Sequence, residues 1–262
     1  MPRIKLTVAY DGTDYVGWQV QANGVSVQAT LEDALGRLVG QRVGVVVAGR
    51  TDSGVHARGQ VVAFDSPAAL PLKAYWMGLN GLLPKDIAVM AAEFAPNEFD
   101  PRRWASGKRY QYQISNLPGR SPHRRRTHWE IFQPLDLNAM REGAQHLLGK
   151  HDFSSFRAAD CQASHAVREI RVAEVAGASG DEIVVTFEGT AFLKHMVRNM
   201  VGTLVEVGRG RRLPVWVRDV LLQRDRSFAG STAPPQGLFL DQIFYGDRKD
   251  IESARFSSKV VR

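Results

Sequence analysis

The order strand, helix, strand, strand, helix, strand reads twice along this chain, and that doubled order restricts its fold more than any other feature. Alternating apolar residues predict a strand over Ile4–Tyr10, and Asp11-Gly12-Thr13 a turn. A helix is predicted over Val27–Val39, because Ser26 can cap it and Val27, Leu31, Ala34, Leu35 and Leu38 share one face. Strands follow at Val43–Ala48 and Gln60–Phe64, then a helix from Pro71 to Leu82 and a strand over Ile87–Phe94. The second pass predicts strands at Arg109–Ser115, Arg168–Val175 and Ile183–Glu188, the last two paired across the turn Ser179-Gly180-Asp181. Helical spacing covers Asn138–Leu148, ended by Gly149, and Phe192–Gly208, and the strand Leu238–Tyr245 closes the order.

The two passes share a pattern and not residues. Pro96 and Pro101 break it near Asn97–Arg103, which divides the chain into 1–100 and 101–262. The expectation is an α+β protein of two ferredoxin-like halves. Their antiparallel sheets lie side by side as one extended sheet, helices pack on it, and a cleft separates the halves.

Charge divides as unevenly as pattern repeats. Residues 1–100 hold 8 Lys/Arg against 10 Asp/Glu, and the whole chain carries +7, so residues 101–262 contribute +9. Eight cations and no acid lie between Arg102 and Arg126, with Trp104, Tyr110 and Tyr112 among them. A charge run is often no more than a solvated face. Basic stripes with interleaved aromatics are also the footprint of nucleic-acid binding, and RNA or DNA is favoured here over a membrane surface. No run approaches the roughly 18 apolar residues of a membrane helix, and the N-terminus enters a strand pattern directly, so a cytoplasmic protein is expected. The single cysteine, Cys161, excludes an internal disulfide and a multi-cysteine metal site. His56 and His195 lack a carboxylate cluster, so neither a metal nor a cofactor is expected.

The chemistry concentrates in Gly49 to Phe64, Gly-Arg-Thr-Asp-Ser-Gly-Val-His-Ala-Arg-Gly-Gln-Val-Val-Ala-Phe. A glycine-bearing loop between two strands presents one short carboxylate, Asp52, two residues after Arg50. No Gly-Lys-Ser/Thr follows, so it is not a phosphate cradle. On composition alone it is a polar loop with a local ion pair.

The string itself resembles the catalytic motif of the TruA family of tRNA pseudouridine synthases, with Asp52 in register and Ser53 where alanine is commoner. The resemblance continues through Tyr10-Asp11-Gly12-Thr13, Gly17-Trp18-Gln19, Leu83-Pro84-Lys85-Asp86-Ile87, Lys108-Arg109-Tyr110-Gln111-Tyr112 and His195-Met196-Val197-Arg198-Asn199-Met200-Val201-Gly202. It implies isomerisation of uridine to pseudouridine at positions 38, 39 and 40 in the anticodon stem-loop of tRNA, by a homodimer without cofactor. It further implies that Asp52 is catalytic and that Arg50 helps flip the base and fills its place. Tyr110 would pack on the flipped uracil, Arg198 would pair with the aspartate, and Leu204 would form an apolar wall. Tyr112, on the face of Tyr110, competes for the tyrosine role. Family segments that touch tRNA correspond to Phe99, Asp100, Pro101, Arg102 and Arg103, and to Asp160, Cys161, Gln162, Ala163 and Ser164. Nothing is carried over onto Arg120–Arg126 or the tail after Tyr245.

Two other functions fit parts of the sequence. A non-catalytic RNA-binding module explains the charge and the ferredoxin-like pattern but has no use for the Arg50/Asp52 loop, and its basic-Gly-aromatic signature is absent. A nucleoside hydrolase would also attack C1′, although most glycoside hydrolases pair two acids and the loop offers one.

Overall fold

Alternation from Arg3 to Tyr10 produces a strand with Ile4, Leu6 and Val8 fully buried on one face. The computed structural model describes residues 1–177 and 182–246; the turn expected at Ser179-Gly180-Asp181 and the tail beyond residue 246 lie outside them. In chain order the first elements are β1 (Arg3–Tyr10), α1 (Val27–Val39), β2 (Val46–Val47) and β3 (His56–Asp65). A π-helical turn, Ala74–Gly78, runs into Leu79–Leu82 as α2, and β4 (Ile87–Ala95) follows. Next come β5 (Ala105–Ser115), β6 (Trp129–Glu130), α3 (Leu137–Gln145), β7 (Gly149–Asp152) and β8 (Val167–Ala176). The series ends with β9 (Glu182–Gly189), α4 (Met196–Gly208), α5 (Trp216–Gln223) and β10 (Leu238–Tyr245).

These elements form two compact units, Met1–Ser106 with the described residues from Leu240, and Gly107–Phe239. The expected division at residue 100 therefore differs in two respects. The boundary falls six residues later, and most of the closing strand returns to the first unit, where β10 lies beside β3. The strand order in the first unit is β4-β1-β3-β10, with β2 also on β3. Antiparallel register sets Ile4 opposite Phe64 and Phe94, and Leu6 opposite Val62 and Ala92. In the second unit the order is β5-β9-β8-β7, with the short β6 parallel to the end of β5. Tyr110, Tyr112 and Ile114 of β5 face Phe187, Val185 and Ile183 of β9. The protein is thus mixed α+β with mainly antiparallel pairing.

Helix α1 forms as its spacing predicts: Ser26 Oγ accepts the Ala29 N–H at 3.2 Å, and Val27, Leu31, Ala34 and Leu35 are buried. Leu38, expected on the same face, remains half-buried. Helix α1 packs on α2, which rests on β4. In the second unit α3 packs on α4, α5 and β8. Asp136 caps α3 by accepting from Asn138 and Ala139.

Strands β3 and β5 begin earlier than expected, at His56 and Ala105, and three further departures have a visible cause. Only Val46–Val47 of the Val43–Ala48 run joins the sheet, because the Val45 N–H donates to Glu32 Oε1 on α1 rather than to a strand. Helix α3 stops at Gln145: His146, Leu147 and Leu148 donate three residues back, a tightened final turn. Helix α4 begins at Met196 rather than Phe192, because His195 sits at φ 61°, outside the helical region.

Candidate active site

The loop from Gly49 to Val55, between β2 and β3, is tied down on nearly every side. Gln60 of β3 donates through Nε2 to the Gly49 carbonyl at 2.6 Å. The hydroxyls of Thr51 and Tyr10 share a 2.8 Å hydrogen bond, and the Trp18 N–H donates to the Thr51 carbonyl at 3.1 Å. Beyond Asp52, Ser53 Oγ and the Gly54 N–H both donate to the Tyr15 carbonyl, at 3.2 and 3.3 Å. The Val55 N–H donates to the carbonyl of Asp52 itself at 3.1 Å. Next along, His56 is buried and its Nδ1 accepts the Gly12 N–H at 3.0 Å, so it serves as a brace.

The side chains follow from that frame. Thr51 and Val55 are buried, Asp52 is half-buried and Arg50 is exposed. A carboxylate on a fixed backbone, partly open to solvent, can act on a ligand without a prior rearrangement of the chain. Burial pushes the Tyr10 hydroxyl up to about 12, the hydrogen bonds from Thr51 and Gln60 opposing that rise, so this brace stays neutral at physiological pH. Gln60 is wholly buried in an otherwise apolar stretch of β3. A lone amide in such a strand was the readable sign of its task, and pattern reading passed over it. Gly17 was noted only for resemblance. It adopts φ 106°, and a Cβ there would lie 2.7 Å from the Thr51 carbonyl oxygen, so only glycine admits this approach.

Tyr110, Tyr112, Arg198 and Leu204 belong to the second unit, Arg50 and Asp52 to the first. Tyr110, on β5, is 8% exposed and meets Phe192 edge to face at 5.0 Å. Tyr112 is fully buried, and its hydroxyl donates to the Pro234 carbonyl at 2.7 Å. Burial raises its pKa, and the charge of Arg198 works against that rise. Arg198, on α4, donates through Nε to the neighbouring carbonyl of Ala233 at 2.7 Å, and the Ala233 N–H donates back to the Arg198 carbonyl at 3.1 Å. The strand-to-helix pair Tyr112 and Arg198 thus grips consecutive carbonyls of one loop. Gly202 makes this docking possible, since a Cβ there would lie 1.7 Å from the Ser231 carbonyl oxygen. Leu204 is completely buried, facing Gly143 of α3.

Of the residues expected to touch RNA, Arg102 and Arg103 are exposed, and their N–H groups donate to Asp100 Oδ1 at 2.8 and 2.9 Å. Phe99 is buried between Trp104 and Tyr245, both rings 5.4 Å away, and Pro101 accepts from the Tyr245 hydroxyl. These two support the turn that carries the arginines. Asp160, Gln162 and Ser164 are exposed, Cys161 and Ala163 half-exposed, and Asp160 pairs with Lys194 at 2.5 Å. Among the described residues no three metal-ligating side chains gather, and no helix is long and apolar enough to cross a membrane.

A family model described as tRNA pseudouridine synthase matches residues 6–102 and 144–246. A protein of Myxococcus xanthus named tRNA pseudouridine synthase A is 65% identical, over 94% of this chain and 93% of its own length. One of the same name from Pelobacter propionicus is 49% identical, over 94% of this chain and 100% of its own. A solved structure of an H/ACA RNP bound to a substrate RNA is a distant likeness only, with TM-score 0.37 and 11% identity over 77% of this chain and 44% of that one. The chain belongs to the tRNA pseudouridine synthase family. It is accordingly an isomerase that acts on tRNA.

Proposed function

We propose that Asp52 is the catalytic carboxylate of this isomerase and that its substrates are uridines 38, 39 and 40 of the tRNA anticodon stem-loop. The observation that carries this reading is the half-buried Asp52 carboxylate on a loop whose flanking backbone is fixed by Gln60, Trp18 and Tyr15. The reaction breaks N1–C1′, turns the uracil and joins C5 to C1′, with no net oxidation and no donor consumed. A base in a stacked stem must first be extruded. Asp52 then either attacks C1′, the bonding pair leaving with uracil N1, or removes the C2′ proton to give a glycal. In both routes the C5 proton is released at the end.

Arg50 is assigned to extrusion of the base, and Tyr110 and Arg198 to holding the uridine, with Leu204 supporting that surface from the interior. Tyr110 is preferred over Tyr112 because it keeps some exposure, whereas Tyr112 is fully buried with its hydroxyl bonded to Pro234. The exposed Arg102 and Arg103 and the 160–164 segment are assigned to the RNA backbone. The protein is read as a cytoplasmic homodimer.

Asp52→Asn tests the assignment, because it keeps shape and removes charge. Single-turnover release of tritium from C5-labelled uridine in tRNA should fall by several orders of magnitude while tRNA binding stays nearly unchanged. Near-normal release would defeat the mechanism, and joint loss of release and binding would make Asp52 structural.

A further inference from the structure

Arg157, Arg224 and Arg226 line one cavity of about 350 Å³ in the second unit, with Ser154, Ala158 and Asp225. None of these residues has a part in the chemistry assigned above. Arg226 donates to the Ala229 carbonyl, to Asn199 Oδ1 and to Thr232 Oγ1 at 3.3, 3.2 and 3.1 Å, all neutral acceptors. Burial lowers its pKa, as it does for a cation that water only partly solvates. The hydrogen bonds of Ser154 first, and then the charges of Arg224 and Arg157, hold the Asp152 carboxyl below its usual range.

The acids nearby are already engaged. Asp225 Oδ1 accepts both the N–H and the Oγ–H of Ser227 at 2.8 Å, capping the short turn Arg226–Phe228. Asp152 Oδ1 accepts the Ser154 N–H at 2.9 Å, and its other oxygen stands 3.9 Å from Arg224 Nε in an exposed pair of small worth. Three guanidinium groups against two carboxylates leave the cavity with surplus positive charge. A desolvated charge is favourable where an opposite charge meets it.

The backbone adds an independent sign. Arg224 ends α5 at φ 53°, in the left-handed region where glycine is the usual helix terminator. An arginine there gives up backbone stability that glycine would keep, and strain of this kind clusters at binding sites.

We propose that this cavity is a binding site for a phosphate-class anion, supplied as a phosphodiester of the tRNA backbone or as free inorganic phosphate. Arginine meets phosphate with paired N–H donors, and three arginines line this one cavity. The volume is many times the roughly 30 Å³ share of one water molecule, so a phosphate with its attached ribose fits as well as the free ion.

The test uses the full chain with Arg224→Gly, Arg157→Gln and both together. Unmodified tRNA binding is measured across a salt series, and thermal unfolding is measured with and without inorganic phosphate at constant ionic strength. Arg224→Gly should raise the unliganded melting temperature, because glycine relieves the left-handed φ. If the anion is a tRNA phosphodiester, the double variant loses several-fold in tRNA affinity and about one unit of the slope of log K against log salt. If it is free phosphate, the double variant loses the phosphate-induced rise in melting temperature and keeps its tRNA binding. Wild-type behaviour in both measurements overturns the proposal. A lower melting temperature for Arg224→Gly also overturns it, by making Arg224 a structural brace. The phosphate arm does not depend on the catalytic reading, so failure of the Asp52→Asn test would leave this result standing.

Discussion

Gly17 presses its bare Cα against the carbonyl of Thr51, the residue next to Asp52, so closely that a methyl group would stand 2.7 Å from the oxygen. The contact couples the turn after β1 to the position of the carboxylate. Gly17→Ala should therefore cost about 1–3 kcal/mol through its positive φ alone, and it should also displace the Asp52 loop. We expect tRNA turnover to fall more than tRNA affinity, measured by single-turnover kinetics beside a binding isotherm. Unaltered turnover in a protein of normal melting temperature would show that the loop does not rely on this contact.

Tyr10, buried beneath the same loop, makes the protein sensitive to alkali. Its folded-state pKa of about 12 lies above the value of 10.0 in the unfolded chain, so its contribution is complete below pH 10 and is lost as pH climbs towards 12. The full difference is on the order of 3 kcal/mol. Tyr15, Tyr112 and Tyr245 are also raised, chiefly by burial, and add to the slope. Denaturant midpoints at pH 8 and pH 11 should drop less for Tyr10→Phe than for the wild type. Equal drops would mean that Tyr10 does not titrate on unfolding.

Leu204 is completely buried where α4 faces Gly143 of α3. Leu204→Ala should lower stability by about 2–5 kcal/mol, since a cavity replaces a packed side chain. Equilibrium unfolding in urea measures this directly. A loss below about 1 kcal/mol would place the side chain at a site that collapses easily or opens to solvent.

Arg102 and Arg103 stand exposed on the turn organised by Asp100. Reversing either to glutamate should weaken binding of all tRNA substrates alike and flatten the salt dependence, because phosphate contacts position RNA without reading its sequence. Selective loss for one tRNA would show instead that these arginines read bases.

Much of this architecture was legible because its signals are local. The spacing and cap of Val27–Val39 specify α1 to the residue, and the apolar residues of Leu238–Tyr245 give β10 its bounds. Failures occurred where a distant group overrode the local pattern. Glu32 takes the Val45 N–H away from the sheet, and His195 holds a left-handed conformation that no periodicity reveals. Sequence order does not say which sheet edge receives the last strand, and β10 lies beside β3 of the first unit. Around Asp52 the motif itself was conspicuous, whereas its supports at Tyr10, Trp18 and Gln60 became visible only as hydrogen bonds.

The membership of β10 in the first unit sets a timetable for the nascent chain. Residues 1–106 leave the ribosome with the part of one side of β3 that β2 does not cover still waiting for β10, most of which the chain encodes after Phe239. At synthesis rates of about 5–20 residues per second, that wait is on the order of ten seconds. Throughout it, the sheet beneath the Asp52 loop offers unpaired N–H and C=O groups to any neighbouring strand. The unit that carries the Asp52 loop is begun first and finished last, so aggregation during synthesis, more than the stability of the finished enzyme, is the hazard that this connectivity creates.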